Sequence, residues 1–173
     1  MDTFFQWIID KWESLYCRFM VRPYERAVHI RKGKLLRVCK PGWYWKLPFE
    51  LDEIHKVNVV STTSNLKTQV VTTKDDYALV VGVVIRWRVR EEAVARLIID
   101  LEDYQDVLTD VCYGMVAKCF LEVQLADMDM DTLAKNILEQ VRRRVGKFGF
   151  DVEDLYITDI SEAKTFRLVQ GEG

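Results

Sequence analysis

The chain has 173 residues, enough for one medium domain or two small ones with a core of their own. Hydrophobic residues make up 49% and charged residues 30%, which excludes an intrinsically disordered chain, and the net charge of −2 speaks against nucleic acid as a partner. The charge is uneven: residues 1–40 hold nine Lys/Arg against four Asp/Glu, and the rest of the chain 16 against 23, so a positive amino-terminal end on an acidic body is suited to anionic lipid.

In chain order, the first element is FFQWIIDKWESLYCRFM, Phe4 to Met20. A spanning helix needs about 20 mainly apolar residues. Asp10, Lys11, Glu13 and Arg18 interrupt this run, and inserting Asp10-Lys11 at a helix centre costs several kcal/mol. Turned at about 100° per residue, Phe4, Phe5, Ile8, Ile9, Trp12, Leu15, Tyr16, Phe19 and Met20 gather in an arc of roughly 160°. Thr3 caps the start and Pro23 lies just past the end. The spacing predicts an amphipathic helix whose apolar arc is covered by a bilayer surface, by its own domain or by a neighbouring subunit. Half-burying nine such side chains is worth on the order of 10 kcal/mol before ordering costs. Aromatic density and the flanking Arg18, Arg22 and Arg26 favour the bilayer. The opening residues are acidic and apolar with no small-residue cleavage site after them, so no signal peptide is read.

After Pro23 the period becomes two. Strands are expected at Ala27–Ile30, Leu35–Cys39, Trp43–Leu47, Ile54–Val60, Lys67–Thr72 and Tyr77–Val89, with turns at Arg31-Lys32-Gly33-Lys34, Pro41-Gly42 and Lys74-Asp75-Asp76. Trp43, Trp45 and Phe49, between Pro41 and Pro48, fit a second dip into a lipid interface and fit an ordinary core equally well. Arg86, Arg88 and Arg90 alternate with Ile85, Trp87 and Val89, a basic strand face that reads as solvated or ion-paired rather than phosphate-gripping. Helices are expected at Glu91–Asp100, Tyr104–Leu125 and Thr132–Phe148, and a closing strand at Phe150–Ile160. Asp127-Met128-Asp129-Met130-Asp131 lacks the glycine and distal glutamate of a calcium loop and reads as a helix cap. Gly146 and Gly149 end the last helix.

Cys17, Cys39, Cys112 and Cys119 form no CxxC pair, and His29 and His55 stand apart, so neither a metal site nor a cofactor is read. Reduced, mostly buried thiols in a reducing compartment are expected. No nucleophile with a base, paired carboxylates or phosphate loop marks an enzyme.

Four strings in order carry a resemblance. Val21-Arg22-Pro23-Tyr24-Glu25-Arg26-Ala27-Val28 running into Arg31-Lys32-Gly33 resembles the opening strand and turn of the stomatin/prohibitin/flotillin/HflKC family, the SPFH or Band 7 domain. Pro41-Gly42 through Pro48 resembles its PG element, Thr72-Thr73-Lys74-Asp75-Asp76 running into Tyr77–Val81 its turn into a long strand, and Phe148-Gly149 through Asp159-Ile160 its closing strand. The resemblance implies an α+β fold in two parts on a membrane, an SPFH1-like strand-rich subdomain at 23–90 and an SPFH2-like α/β subdomain at 91–165, after an amphipathic helix at 1–22 and before a polar tail at 166–173. It implies a non-enzymatic scaffold that oligomerises on the membrane, organises lipids and surrounds or regulates membrane proteins. The expected partners are membrane lipids, further copies of the chain, and a membrane-protein client or longer relative. The expected place is the reducing, cytoplasmic face, as a peripheral protein.

Many relatives continue into a long coiled coil. This chain stops near Val169, which favours a flatter ring, a small cap or co-assembly with a longer relative. The residues expected to meet lipid are Phe4, Phe5, Ile8, Lys11, Trp12, Leu15, Arg18, Phe19, Arg22, Trp43 and Trp45. Those expected to pair between subunits are Asp75, Asp76, Arg142, Arg143 and Arg144. The competing function is a soluble adaptor or inhibitor that seats the amino-terminal helix in a partner's groove.

Overall fold

The computed structural model describes residues 18–47, 51–101 and 103–163. The Phe4–Leu15 part of the predicted helix, with Lys11, therefore lies outside the described residues. These fold as α+β in two compact units that are not consecutive in sequence. One takes residues up to Ser61 with Arg88–Tyr104 and Phe148–Asp151, the other Thr62–Trp87, Gln105–Lys147 and the chain from Val152.

The first unit is built on β2 (Glu25–Arg31), which lies between β3 (Lys34–Cys39) and β5 (Asp52–Asn58) in an antiparallel sheet. Lys32 and Gly33 both take positive φ, 50° and 71°, between the paired Arg31 and Lys34. This is the two-residue turn that matches the right-handed twist of a hairpin. Ala27, Val28 and His29 are all fully buried, so β2 is covered on both faces. On the Ala27/His29 face sits a ribbon of β1 (Arg18–Val21) and β4 (Gly42–Trp45), whose Val21, Phe19 and Tyr44 pack with Ala27, Cys39 and Ile54. The short helix α1 (Val94–Asp100) also lies against β2 and β3, burying Val94 and Leu97.

The second unit is built on β8 (Ala78–Val89). Leu79, Val81, Val83, Ile85 and Trp87 are buried and Arg86 is exposed, the alternation of a strand with one core face. β6 (Thr62–Asn65) and β7 (Gln69–Thr72) pair with β8 in registers that differ by one residue. They therefore follow one another along the same side of β8, with a bulge at 66–68. β9 (Phe150–Glu162) pairs with β8 as well. Helix α2 (Tyr104–Leu121) buries Leu108, Cys112, Met115, Val116, Cys119 and Phe120, and α3 (Met130–Val145) buries Leu133, Ile137, Val141 and Val145. Asp129 caps α3, accepting hydrogen bonds from the Thr132 N–H and hydroxyl. The aspartate run is thus a helix cap, as its position suggests. Burial pushes the Cys112 thiol up to about 12, a packed and unreactive sulfur.

Three expectations need correction. The helix expected to run on to Met20 does not: Arg18–Val21 is strand β1, paired from Arg18↔Trp45 to Val21↔Gly42. β6, whose sequence Thr-Thr-Ser-Asn carries no apolar alternation, is an additional strand. Helix α3 ends at Val145, so Phe148 lies beyond it and is exposed rather than on its inner face. The arginine face of β8 is ion-paired, as expected. Arg86 meets Glu153 at 3.1 Å and also Asp154, and Arg88 meets Asp151 at 2.7 Å.

Candidate functional site

The β1/β4 ribbon presents the most distinctive surface of the first unit. Its register sets Arg18 opposite Trp45, Phe19 opposite Tyr44 and Met20 opposite Trp43. Because side chains alternate, Arg18, Met20, Trp43 and Trp45 share the outward face, while Phe19, Val21 and Tyr44 share the inward one. Trp43 is 71% exposed and Trp45 62%, with Met20 and the following Leu47 exposed beside them. The Arg18 guanidinium lies 4.2 Å from the centroid of the Trp45 ring. Leu35, Leu36 and Val38 of β3 add further exposed apolar side chains to the same unit. Trp43 and Trp45, which fit core or surface equally by pattern, therefore stand on the surface.

The inward face holds the ribbon in place. Phe19 stacks on Tyr44 at 5.5 Å and meets the edge of the His29 ring at 5.7 Å. The far end of β4 is held by a buried polar cluster. Asp52 accepts the Leu47 N–H at 2.7 Å, takes Arg31 through both carboxylate oxygens at 2.7 and 3.0 Å, and stands 2.9 Å from His29 Nε2. The Arg31 fork, then the Leu47 N–H and His29, hold the Asp52 carboxyl well below the usual carboxylate range against the opposing effect of burial. Among the described residues His29 Nδ1 has no hydrogen-bond partner. One carboxylate thus ties β2, β5 and the end of the ribbon together.

An exposed pair of tryptophans beside an arginine is the composition of a lipid–water interface. The indole rings are large and apolar with one polar edge, and the guanidinium suits a phosphate. Among the described residues no helix is long and apolar enough to cross a membrane. No group of three or more His, Cys, Asp or Glu side chains among them is placed to hold a metal ion.

The structure brings together three of the residues expected to meet lipid, Arg18, Trp43 and Trp45, and separates a fourth. Phe19 points inward, because in a strand it falls on the opposite face from Arg18 and Met20. Arg22 is exposed and donates to the Tyr24 hydroxyl at 2.6 Å. Phe4, Phe5, Ile8, Lys11, Trp12 and Leu15 lie outside the described residues.

Of the residues expected to pair between subunits, Asp75 accepts the Leu125 N–H at 2.9 Å and Asp76 occupies a turn at φ 63°. Arg142 donates to the backbone oxygens of Val152 and Glu153, and Arg143 meets Glu139 one turn away on α3. Asp75 and Arg142 therefore have work within the chain, and Arg144 is exposed. Asp52 is not singled out by sequence pattern. The available signal was His29 and Arg31 at alternate positions of a strand with Ala27, a polar pair on a face that must be buried.

Among known proteins the chain is similar to two uncharacterised archaeal proteins. One, from Archaeoglobus fulgidus, is 24% identical over 152 residues, which is 87% of this chain and 60% of that protein's length. The other, from Methanocaldococcus jannaschii, is 25% identical over 170 residues, 92% of this chain and 81% of that protein. The chain thus spans less than two thirds of the first relative. The family model described as SPFH domain / Band 7 family matches residues 19–170. That match runs from the ribbon through β9, and with it the chain is a member of the SPFH domain / Band 7 family.

Proposed function

We propose that this protein is a peripheral membrane scaffold that meets an anionic lipid surface with the outward face of the β1/β4 ribbon. Copies assembled there organise lipid and surround or regulate a membrane protein. Family membership supports the scaffold role. The observation that carries the membrane contact is the paired exposure of Trp43 and Trp45 on one face with Arg18 over the Trp45 ring.

The energetics suit reversible attachment. Half-burying an exposed tryptophan is worth about 2 kcal/mol. Each nearby cation adds about 1 kcal/mol on an anionic leaflet. Two indoles, Arg18 and the basic residues of the first forty positions add up to attachment that depends on lipid charge and salt. Buried, free Cys39, Cys112 and Cys119 fit a protein facing a reducing compartment.

The test is vesicle flotation of the native chain and of the Trp43→Glu/Trp45→Glu variant. Both positions are exposed, so the variant keeps its fold. The native chain is expected to float with anionic vesicles, and the variant to bind at least about tenfold more weakly. Equal flotation of the two proteins removes the ribbon from the membrane contact.

A further inference from the structure

Among the described residues, the sheet of the second unit ends in an open strand edge. β8 is flanked by β6 and β7 on one side and by β9 on the other. Arg142 covers the start of β9, donating from Nε to Val152 O at 2.6 Å and from Nη2 to Glu153 O at 2.5 Å. From there to Glu162, among the described residues, β9 pairs with β8 alone. This stretch, Tyr-Ile-Thr-Asp-Ile-Ser-Glu from Tyr156, contains neither the proline nor the lysine that commonly protects an edge. Beside it runs a groove of about 400 Å³ between β9 and α3, whose lining is apolar at Met130, Ala134, Leu138, Leu155, Tyr156 and Ile157 and charged at Asp131, Lys135 and Asp154. A strand edge next to a helix-lined groove with apolar side chains along it is the geometry that receives an added strand: the backbone pairs and alternate side chains enter the groove.

We infer that the open edge of β9 takes the β7 edge of a second copy of this chain, so that the sheet continues from one copy to the next. Charge selects this occupant. From Tyr156 to Glu162, beyond the carboxylates paired with Arg86, β9 carries Asp159 and Glu162 and no cation. Two β9 edges facing each other would bring these carboxylates together, a repulsive arrangement. The opposite edge of the sheet, from Ser61 to Thr72, carries no carboxylate and one cation, Lys67. Its β7 strand presents Val70, 66% exposed, an apolar side chain suited to lie beside the exposed Tyr156 and Ile160. The contact is therefore head-to-tail. Such contacts generate a closed ring when the rotation closes and a filament when it does not. The inference deepens the scaffold reading, which requires copies to assemble, and it names the surfaces they use.

Cross-linking in a Cys17→Ser background tests it, since Cys39, Cys112 and Cys119 are buried. Two full-length proteins are made, one Ile160→Cys and one Thr68→Cys, and treated with a short bismaleimide at high micromolar concentration, with and without anionic vesicles. The mixture is expected to give a cross-linked dimer, and each protein alone none. Cross-linking of the Ile160→Cys protein to itself, or no cross-linked dimer in the mixture, overturns the head-to-tail contact.

A second variant, Ile160→Pro, places a ring at the edge. Ala163 donates its N–H to Ala78 O, and strand alternation from there turns the Ile160 N–H away from β8, so no ladder bond is lost. This variant is expected to sediment as a monomer with native circular dichroism and still to float with vesicles. Persistent self-association of folded Ile160→Pro contradicts the inference. Loss of flotation by a folded monomer would instead contradict attachment through the ribbon alone, so the two failures are distinguishable.

Discussion

Asp52 shows how much one side chain can organise. It is buried, yet it stays ionised because the Arg31 fork, the Leu47 N–H and His29 surround it. Its carboxyl is held below its ordinary value, so its contribution to stability is complete above the ordinary carboxylate range near 4 and is lost as pH falls below that range. Asp52→Asn keeps the shape but removes the charge. The expected cost is about 2 kcal/mol at neutral pH, read from urea unfolding, with a shallower loss of stability on acidification than in the native chain. An unchanged urea midpoint would show that the cluster does not hold the ribbon. Gly149 is constrained in another way. It sits at φ 101°, and an added Cβ would lie 2.1 Å from Ala93 Cβ. Gly149→Ala is expected to cost at least about 3 kcal/mol, because both the backbone conformation and the close approach oppose it.

At the scale of elements, most of the architecture was legible and the exceptions share a physical cause. Strand β8 follows from alternation, β2, β3 and β5 from short apolar stretches bounded by turns, and α3 from its helical period and its cap. The Asp129 cap is testable: Asp129→Ala is expected to lower the melting temperature by a few degrees without changing helix content in the native state. The ribbon was harder. The helical period of the opening segment continues unbroken to Met20, and nothing local says that Arg18 will pair with Trp45. Pairing across a long separation is tertiary information, and it overrides local period. Aromatic residues occupy both faces of Trp43-Tyr44-Trp45, so alternation alone could not decide which face was core. The packing of Phe19 on Tyr44 decides it. β6 is polar throughout and forms because β8 offers backbone partners, which no side-chain pattern records.

At the scale of the whole molecule, chain order and spatial units differ. A division near residue 90 reads naturally from the change of strands to helices, but the first unit also takes Arg88–Tyr104 and Phe148–Asp151. Family membership was legible because its motifs lie at turns and strand starts, where glycine, proline and aspartate have specific backbone duties. The proposed membrane site was legible only in composition. Basic residues and tryptophans suit a lipid interface, but which side chains would reach it depends on strand register. The most direct measurement is quenching by brominated anionic lipid of single-tryptophan variants that keep only Trp43, only Trp45 or only Trp87, the other tryptophans being replaced by phenylalanine. Trp87 is buried and donates to the Ser64 hydroxyl at 3.0 Å, so it serves as the internal control. The account predicts strong quenching of Trp43 and Trp45 and none of Trp87. Quenching of none of the three in protein that still binds the vesicles would contradict it.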